Sequence, residues 1–299
     1  MNSRFLVSGL VNTETTARVR GFPIDYYPID YTFFGVGTTA SGVALNLAKA
    51  LHTLGDEVYL CSMIGNDISG KLVLEELRKS GLPTGYIVNK LTETPGSVVL
   101  YDETGRRQIY CDLKDIQETS YEFRPEQLKD IDAVLACNIN FSRPLLRMAK
   151  EQGKLIATDV HVLSDPEDGY DREFLEAADV LFLSDEGIYG DPEAFLRSLA
   201  DRYPVQVIVL GMGAKGALMY RQSSDSFIRQ PAYAIGGVVN TIGAGDALFS
   251  SFMHFFVKGY PPEKALDRAQ LFAAMKIRHS GASRGFPTEE EMRREAGDI

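Results

Sequence analysis

Short apolar runs alternate with helix-period segments along most of this chain, and that alternation constrains its fold more than any other feature. Residues 4–11 form an apolar run ending in polar Asn12, Thr13 and Glu14, which predicts a first strand with a polar site at its C-terminal end. Residues 41–55 carry apolar side chains at 44, 47, 48, 51 and 54, a helical period closed by Gly55. A strand is expected over 58–63, a turn at Gly65-Asn66-Asp67 and a helix over 69–80. The rhythm resumes through strands at 132–137, 154–159, 179–183 and 205–210, with helices between, and closes on a short polar helix over 289–299. Such an order predicts an α/β fold with a mainly parallel sheet covered on both faces.

Two stretches break the rhythm. Residues 16–37 alternate loosely and contain Pro23 and Pro28, as expected of twisted, partly exposed strands with bends. In residues 84–113, the runs 86–88, 96–101 and 108–111 are strand-like, and Asp102 to Gly105 makes a hairpin turn between the last two. Together they predict a small separate sheet. The expected organisation is therefore one domain over residues 1–299, with a protruding β lid formed within about 12–37 and 84–113.

Charge and cysteine content narrow the function. A net charge of −10 opposes binding to nucleic acid or an anionic membrane. Cys61, Cys111 and Cys137 are odd in number and lack CxxC spacing, so reduced thiols in a cytoplasmic protein fit better than disulfides or a metal knuckle. The N-terminal stretch has no signal-peptide apolar core, and no run reaches transmembrane length.

The stretch richest in chemistry is NTIGAGDALF, Asn240 to Phe249. It leads into residues 247–256, which are apolar on nearly every face, as in a buried helix. Gly243, Ala244 and Gly245 then stand where that helix begins, with unpaired N–H groups and the positive end of the dipole, a setting suited to a phosphate or a developing oxyanion. Asp246 would repel a phosphate there unless it takes a proton from the group attacking it. By itself a GxGD turn is more often a helix start with a dipole-stabilising carboxylate. Two more features bear on the choice. Residues 207–217 read as an apolar strand followed by a turn punctuated by Gly211, Gly213 and Gly216, either a tight connection or a loop approached by a nucleotide. Asn46 lies within an apolar helix begun near Gly42, either exposed or directed at a polar ligand.

Four pieces in order, SGVALNLAKALHTLG, IGNDISGKLVLEELRKSGL, VIVLGMGAKGAL and NTIGAGDAL, resemble the ribokinase-like (pfkB-type) carbohydrate kinases over essentially the whole chain. The last is similar to that family's DTxGAGD signature. The resemblance implies a ribokinase-like three-layer sandwich with a β-sheet lid over the sugar, the lid also serving as a homodimer interface. It implies transfer of the ATP γ-phosphate, with Mg²⁺, to a hydroxyl of a sugar, sugar acid or nucleoside. By position, Asp246 is the expected base and Gly243, Ala244 and Gly245 the anion hole. Asn12, Glu14, Gly42 and Asn46 match acceptor-binding positions, while Gly211, Gly213, Gly216, Gly281 and Ala282 match the nucleotide side.

The departures set further expectations. Asn240 stands for the signature's first Asp, and Ser41 for one of two glycines. The NxxE motif of many members is absent; its place reads Ser184-Asp185-Glu186-Gly187, leaving Asp185 or Glu186 to order Mg²⁺ waters. A DxNxR pattern of sugar-acid kinases appears as Asp159 to Leu163 without its Arg, which favours a neutral sugar or nucleoside. Many members hold a monovalent cation beside the anion hole with the signature Asp, backbone carbonyls and a later polar side chain. Asn240 and Gly285 at those places predict weak response to K⁺, with Arg284 as a competing charge should it fold inward. The alternative function is a catalytically weakened sugar- or nucleotide-binding relative with a sensing role. A dinucleotide-dependent oxidoreductase fails on the first βα turn, which lacks the required glycine spacing.

Overall fold

In the computed structural model, residues 2–297 are described; the last two residues of the predicted terminal helix lie outside that range. The strands are β1 (Arg4–Ser8), β2 (Asn12–Arg18), β3 (Val36–Ser41), β4 (Glu57–Gly65), β5 (Ile87–Leu91), β6 (Gly96–Tyr101), β7 (Arg107–Asp112), β8 (Ala133–Ala136), β9 (Leu155–Val162), β10 (Val180–Ser184), β11 (Val207–Gly211), β12 (Ala217–Arg221) and β13 (Ser226–Gln230). The α-helices are α1 (Val43–Thr53), α2 (Ile68–Lys79), α3 (Arg143–Glu151), α4 (Arg172–Ala177), α5 (Pro192–Arg202), α6 (Ala244–Val257), α7 (Pro262–Lys276) and α8 (Glu289–Ala296).

A nine-stranded sheet runs in the order β13-β12-β11-β10-β9-β8-β1-β4-β5, parallel except for the β11-β12-β13 edge. Central strands are buried on both faces, which is why they read as continuous apolar runs rather than alternating ones. In β1, Phe5 and Val7 pack into the core shared with α1, α6 and α7, whereas Leu6 enters the opposite core with residues of α3, α4 and α5. Two helical layers thus cover one sheet. Helix α6, buried continuously from Ala247 to Phe255, lies between α1 and α7, which explains its apolar character all round.

The second sheet has the order β3-β2-β6-β7, with β2 antiparallel to β3 and parallel to β6. Only residues 9–11 separate β1 from β2, so the small sheet starts at the C-terminal end of a central strand. Gly42 secures the other junction. At φ 105° it caps α1, and a Cβ there would stand 2.4 Å from the Leu10 carbonyl oxygen, a contact only glycine relieves.

Four sequence expectations change. The 86–88 run becomes β5, which pairs with β4 in the large sheet instead of joining the small one. The small sheet gains residues 38–41 through β3, while residues 19–35 contain no strand. The β12–β13 hairpin at the far edge was not anticipated. Residues 233–239, whose apolar run before NTIGAGDALF suggests an ordered approach to that stretch, have neither strand nor helix, and Val238 and Val239 are exposed.

Candidate active site

Helix α6 starts from Gly243, whose φ of 75° lies in the left-handed region. A Cβ at Gly243 would fall 2.6 Å from the Ala282 carbonyl oxygen, so glycine lets the 240–243 turn close on the loop that follows α7. Gly245 is exposed, with nothing within 4 Å of the place a Cβ would occupy. The first-turn N–H groups have no acceptor inside the helix, and here the backbone around them is open to an anion. The Asn240 side chain is used locally, its Oδ1 accepting from the Ile242 N–H at 3.2 Å.

Asp246 follows in the same turn. Its Oδ2 accepts from Asn46 Nδ2 at 2.6 Å, joining α6 to α1 across 200 residues of sequence. Asn46 is buried, not exposed, and its own Oδ1 has no partner. Two further buried acceptors come from β2. Asn12 donates from Nδ2 to Ser97 Oγ at 3.2 Å but leaves Oδ1 unpaired, and Glu14 leaves Oε1 unpaired. As residues i and i+2 of a strand, Asn12 and Glu14 share one face. Buried polar atoms normally have partners, so three unpaired acceptors on the elements around Asp246 set this place apart.

Electrostatics binds the same group together. Burial pushes the Asp246 carboxyl above its ordinary range, opposed by the Asn46 hydrogen bond and by the charges of His161 and Lys276, and assisted by Asp159. Glu14 is also raised, first by burial and then by Asp246, with Lys276 and Arg107 acting against the shift. Lys276 ends α7 yet is fully buried; burial lowers it to about 8, against the pull of Asp246 and Glu14. Its Nζ donates to the carbonyl oxygens of Ile242 and of Gly281, the latter at 2.9 Å. Arg107 Nη1 donates to Thr241 Oγ1 at 3.2 Å, so β7 touches the turn before α6. Asp159 and His161 close β9; His161 sits at φ 58° and its N–H donates to Asp159 Oδ1 at 2.8 Å.

The remaining predicted residues lie at the same, C-terminal, ends of the parallel strands or in loops against them. Gly211 ends β11, and the Asp185 N–H donates to its carbonyl at 2.9 Å, holding the β10 and β11 ends together. Asp185 is half-buried and Glu186 exposed. Gly213 has open space where a Cβ would be, as expected of a loop that a ligand approaches. Gly216 has a different reason for being glycine: a Cβ would meet the Gln230 carbonyl at 2.0 Å, so β13 demands it. Gly281, at φ 85°, and buried Ala282 form the loop packed on Gly243. Among the described residues, no group of three or more His, Cys, Asp or Glu is arranged to hold a metal by itself. Lys276, Arg107 and Ser97 were not foreseen. A lysine in the last turn of a helix reads as an exposed dipole partner, and Arg284, the cation considered from sequence, is exposed.

The profile of the pfkB family of carbohydrate kinases matches residues 3–289. The chain belongs to that family. This pfkB kinase is 24% identical over 280 residues to the deoxyribokinase of Salmonella typhi, covering 86% of this chain and 87% of the relative. It is 26% identical over 273 residues to the acarbose 7(IV)-phosphotransferase of an Actinoplanes species, covering 90% of each. Its fold is that of ribokinases: a ribokinase of Arabidopsis thaliana complexed with ribose and ATP superposes with a TM-score of 0.83 at 21% identity, covering 98% of both chains. By its family match the chain is a carbohydrate kinase. Among its described residues no helix is long and apolar enough to cross a membrane.

Proposed function

We propose that this kinase transfers the γ-phosphate of ATP to a hydroxyl of a neutral sugar or nucleoside, with Asp246 as the base. The observation that carries this is the position of Asp246. Its carboxylate stands in the first turn of α6 beside open N–H groups, bonded to Asn46 and raised in proton affinity by burial. A carboxylate there repels a bare phosphate but is well matched to a hydroxyl that must lose its proton. The hydroxyl oxygen forms its bond to phosphorus as its proton passes to Asp246, and the bond to the ADP leaving group breaks.

The residues present fit both substrates. The unpaired oxygens of Asn12, Glu14 and Asn46 are acceptors for the hydroxyls of a polyol, and Gly42 seats the helix carrying Asn46 against the Leu10 backbone. Gly243 and Gly245 present N–H groups to the transferred phosphoryl, Ala244 shapes the turn by donating its N–H to the Thr241 carbonyl at 3.2 Å, and Gly211, Gly213, Gly281 and Ala282 line the ATP side. Gly216 supports that loop through its packing on β13. Mg²⁺ keeps several waters and binds through substrate phosphates plus one or two carboxylates, so Asp185, with Glu186 outside it, suffices as a water-ordering partner. A cytoplasmic setting fits an ATP consumer whose three cysteines are all unpaired. The small sheet acts as a lid over the acceptor and as the contact of a homodimer.

The test is ATP turnover on a panel of neutral sugars and nucleosides, with Asp246→Asn in parallel. The variant should lose roughly 10²- to 10⁴-fold in kcat, the usual contribution of a positioned base, while binding both substrates. An Asp246→Asn enzyme within a few-fold of wild type would remove the base from this account. A wild type that binds acceptor but never phosphorylates it would favour the sensing relative.

A further inference from the structure

We infer that the Lys276 ammonium is a built-in counter-cation, holding the anion-hole turn in place and balancing the phosphates that bind at the start of α6. This rests on the kinase reading above. The geometry is unusual for a lysine. Its side chain is fully buried, and Nζ donates to two backbone carbonyls, of Ile242 and Gly281. Those carbonyls belong to two different loops. Ile242 immediately precedes the helix-capping Gly243, and Gly281 immediately precedes Ala282, whose carbonyl lies against Gly243. Two carbonyl dipoles directed at one point repel each other unless a cation or donor stands between them. Lys276 supplies it from within the protein, along the stem of a helix that ends there.

A lysine kept for stability alone would be expected beside a carboxylate. Among the described residues the Lys276 ammonium forms no ion pair; Asp246 and Glu14 act on it only at longer range. Burying an ammonium with neutral partners is costly, and the fall of its pKa to about 8 records that cost. Arg107 and His161 add positive charge to the same site, and Asp159 negative, through their effects on Glu14 and Asp246. Such a charge is under-compensated in the empty protein and gains its partner when phosphates arrive. Hence Lys276 is a positioning residue: it touches the loops that form the anion hole and acts through them and through its field. The same arrangement predicts an enzyme that responds little to K⁺, because these two carbonyls already have an ammonium.

The experiment compares the full-length wild type with Lys276→Met, which keeps the bulk, and Lys276→Ala, which opens the space. Three quantities are followed: affinity for a non-hydrolysable ATP analogue with Mg²⁺ by titration calorimetry, kcat and KM for an accepted sugar, and the effect of ammonium, methylammonium or K⁺ at constant ionic strength set with tetramethylammonium. Wild type should change less than twofold among these ions. Lys276→Met should bind the analogue at least tenfold more weakly and lose more in kcat than in acceptor KM. Lys276→Ala should regain at least fivefold activity with ammonium or methylammonium and none with tetramethylammonium. Analogue affinity and kcat within twofold of wild type in Lys276→Met would overturn the inference. Should Lys276→Met fail to fold, the melting temperature of Lys276→Ala decides: a rise with ammonium supports a cation site, and no rise with any cation overturns it. A wild type without turnover on any acceptor would sink the kinase reading instead, and the analogue titration would still judge Lys276.

Discussion

One amide, that of Asn46, is bonded at one end and unpaired at the other. Its Nδ2 holds Asp246 at 2.6 Å, and its buried Oδ1 has no partner, the end proposed above to meet the acceptor. Asn46→Ala should therefore weaken acceptor binding and also misplace the base, lowering kcat as well as raising KM. Glu14→Ala should act chiefly on KM for the acceptor, at roughly 1.5–3 kcal/mol for a charge-assisted hydrogen bond. ATP affinity should hardly move in either; equal losses for ATP and sugar in calorimetry would mean a disturbed fold. Glu14 also carries a stability signature. Its folded-state pKa is raised by burial and by Asp246, so the native state holds its proton to higher pH than the unfolded chain does. Its contribution is fully present below the unfolded value near 4 and is lost as pH rises through the folded value. Glu14→Gln should accordingly raise the melting temperature at pH 7–8, with the gain fading toward pH 4; a gain independent of pH would assign it to something other than charge. The structure brings together Asp246, Glu14 and Asn46, three positions the sequence singled out for different reasons: Asn46 as a polar residue in an apolar helix, Asp246 in a glycine turn, Glu14 at the end of the first strand. Lys276 was not singled out: nothing in the string PEKALDRAQLFAAMK tells which of its cations turns inward.

At the scale of elements, the periodic segments were legible and the pairing partners were not. Helices α1 and α2 follow the expected periods because an apolar stripe must face the sheet, and α6 is apolar all round because it is buried between α1 and α7. The fate of 86–91 depended on which open strand edge lay within reach, and β4 offered one in parallel register from Ser62 to Gly65. Strand β13, at the sheet edge, has no apolar run as continuous as those of the central strands. The small sheet, proposed above as a lid, also carries exposed apolar side chains. Tyr26, Ile29, Tyr31, Phe33 and Phe34, on the connection between β2 and β3, are at least 69% exposed, and Ile109 and Tyr110 project from β7. That many exposed large apolar side chains on one small sheet and its connection suit a surface that meets a partner. The proposed homodimer predicts twice the chain mass by light scattering, and Phe33→Asp combined with Tyr31→Asp should convert it to monomer without unfolding it. Retention of the dimer in that variant would place the interface elsewhere.

Across the whole molecule, α6 is anchored at both ends. Near its C-terminal end fully buried His254 lies between Asp56, with Nδ1 2.6 Å from Oδ2, and Glu289, with Nε2 2.9 Å from Oε1. Glu289 opens α8 and also pairs with Lys258, so the last helix is locked onto the one that carries Asp246. Removing His254 leaves two carboxylates without their common partner. His254→Ala should cost roughly 3–5 kcal/mol, as expected on breaking a buried pair, read as a lower denaturation midpoint. Below the transition its kcat should stay within twofold of wild type; a large loss of kcat with unchanged stability would reverse the assignment.

The bond between Asn46 and Asp246 also bears on how new preferences arise. On the reading proposed above, everything that faces the acceptor, Asn12, Glu14, Gly42, Asn46 and the strands of the small sheet, lies before residue 113, whereas the base, the anion hole and the ATP loops follow residue 210. Acceptor choice is therefore inherited as one contiguous stretch of chain. A recombination joining the first third of one such enzyme to the remainder of another would exchange what is phosphorylated while leaving the phosphate donor alone, provided an amide at position 46 still meets the carboxylate at 246.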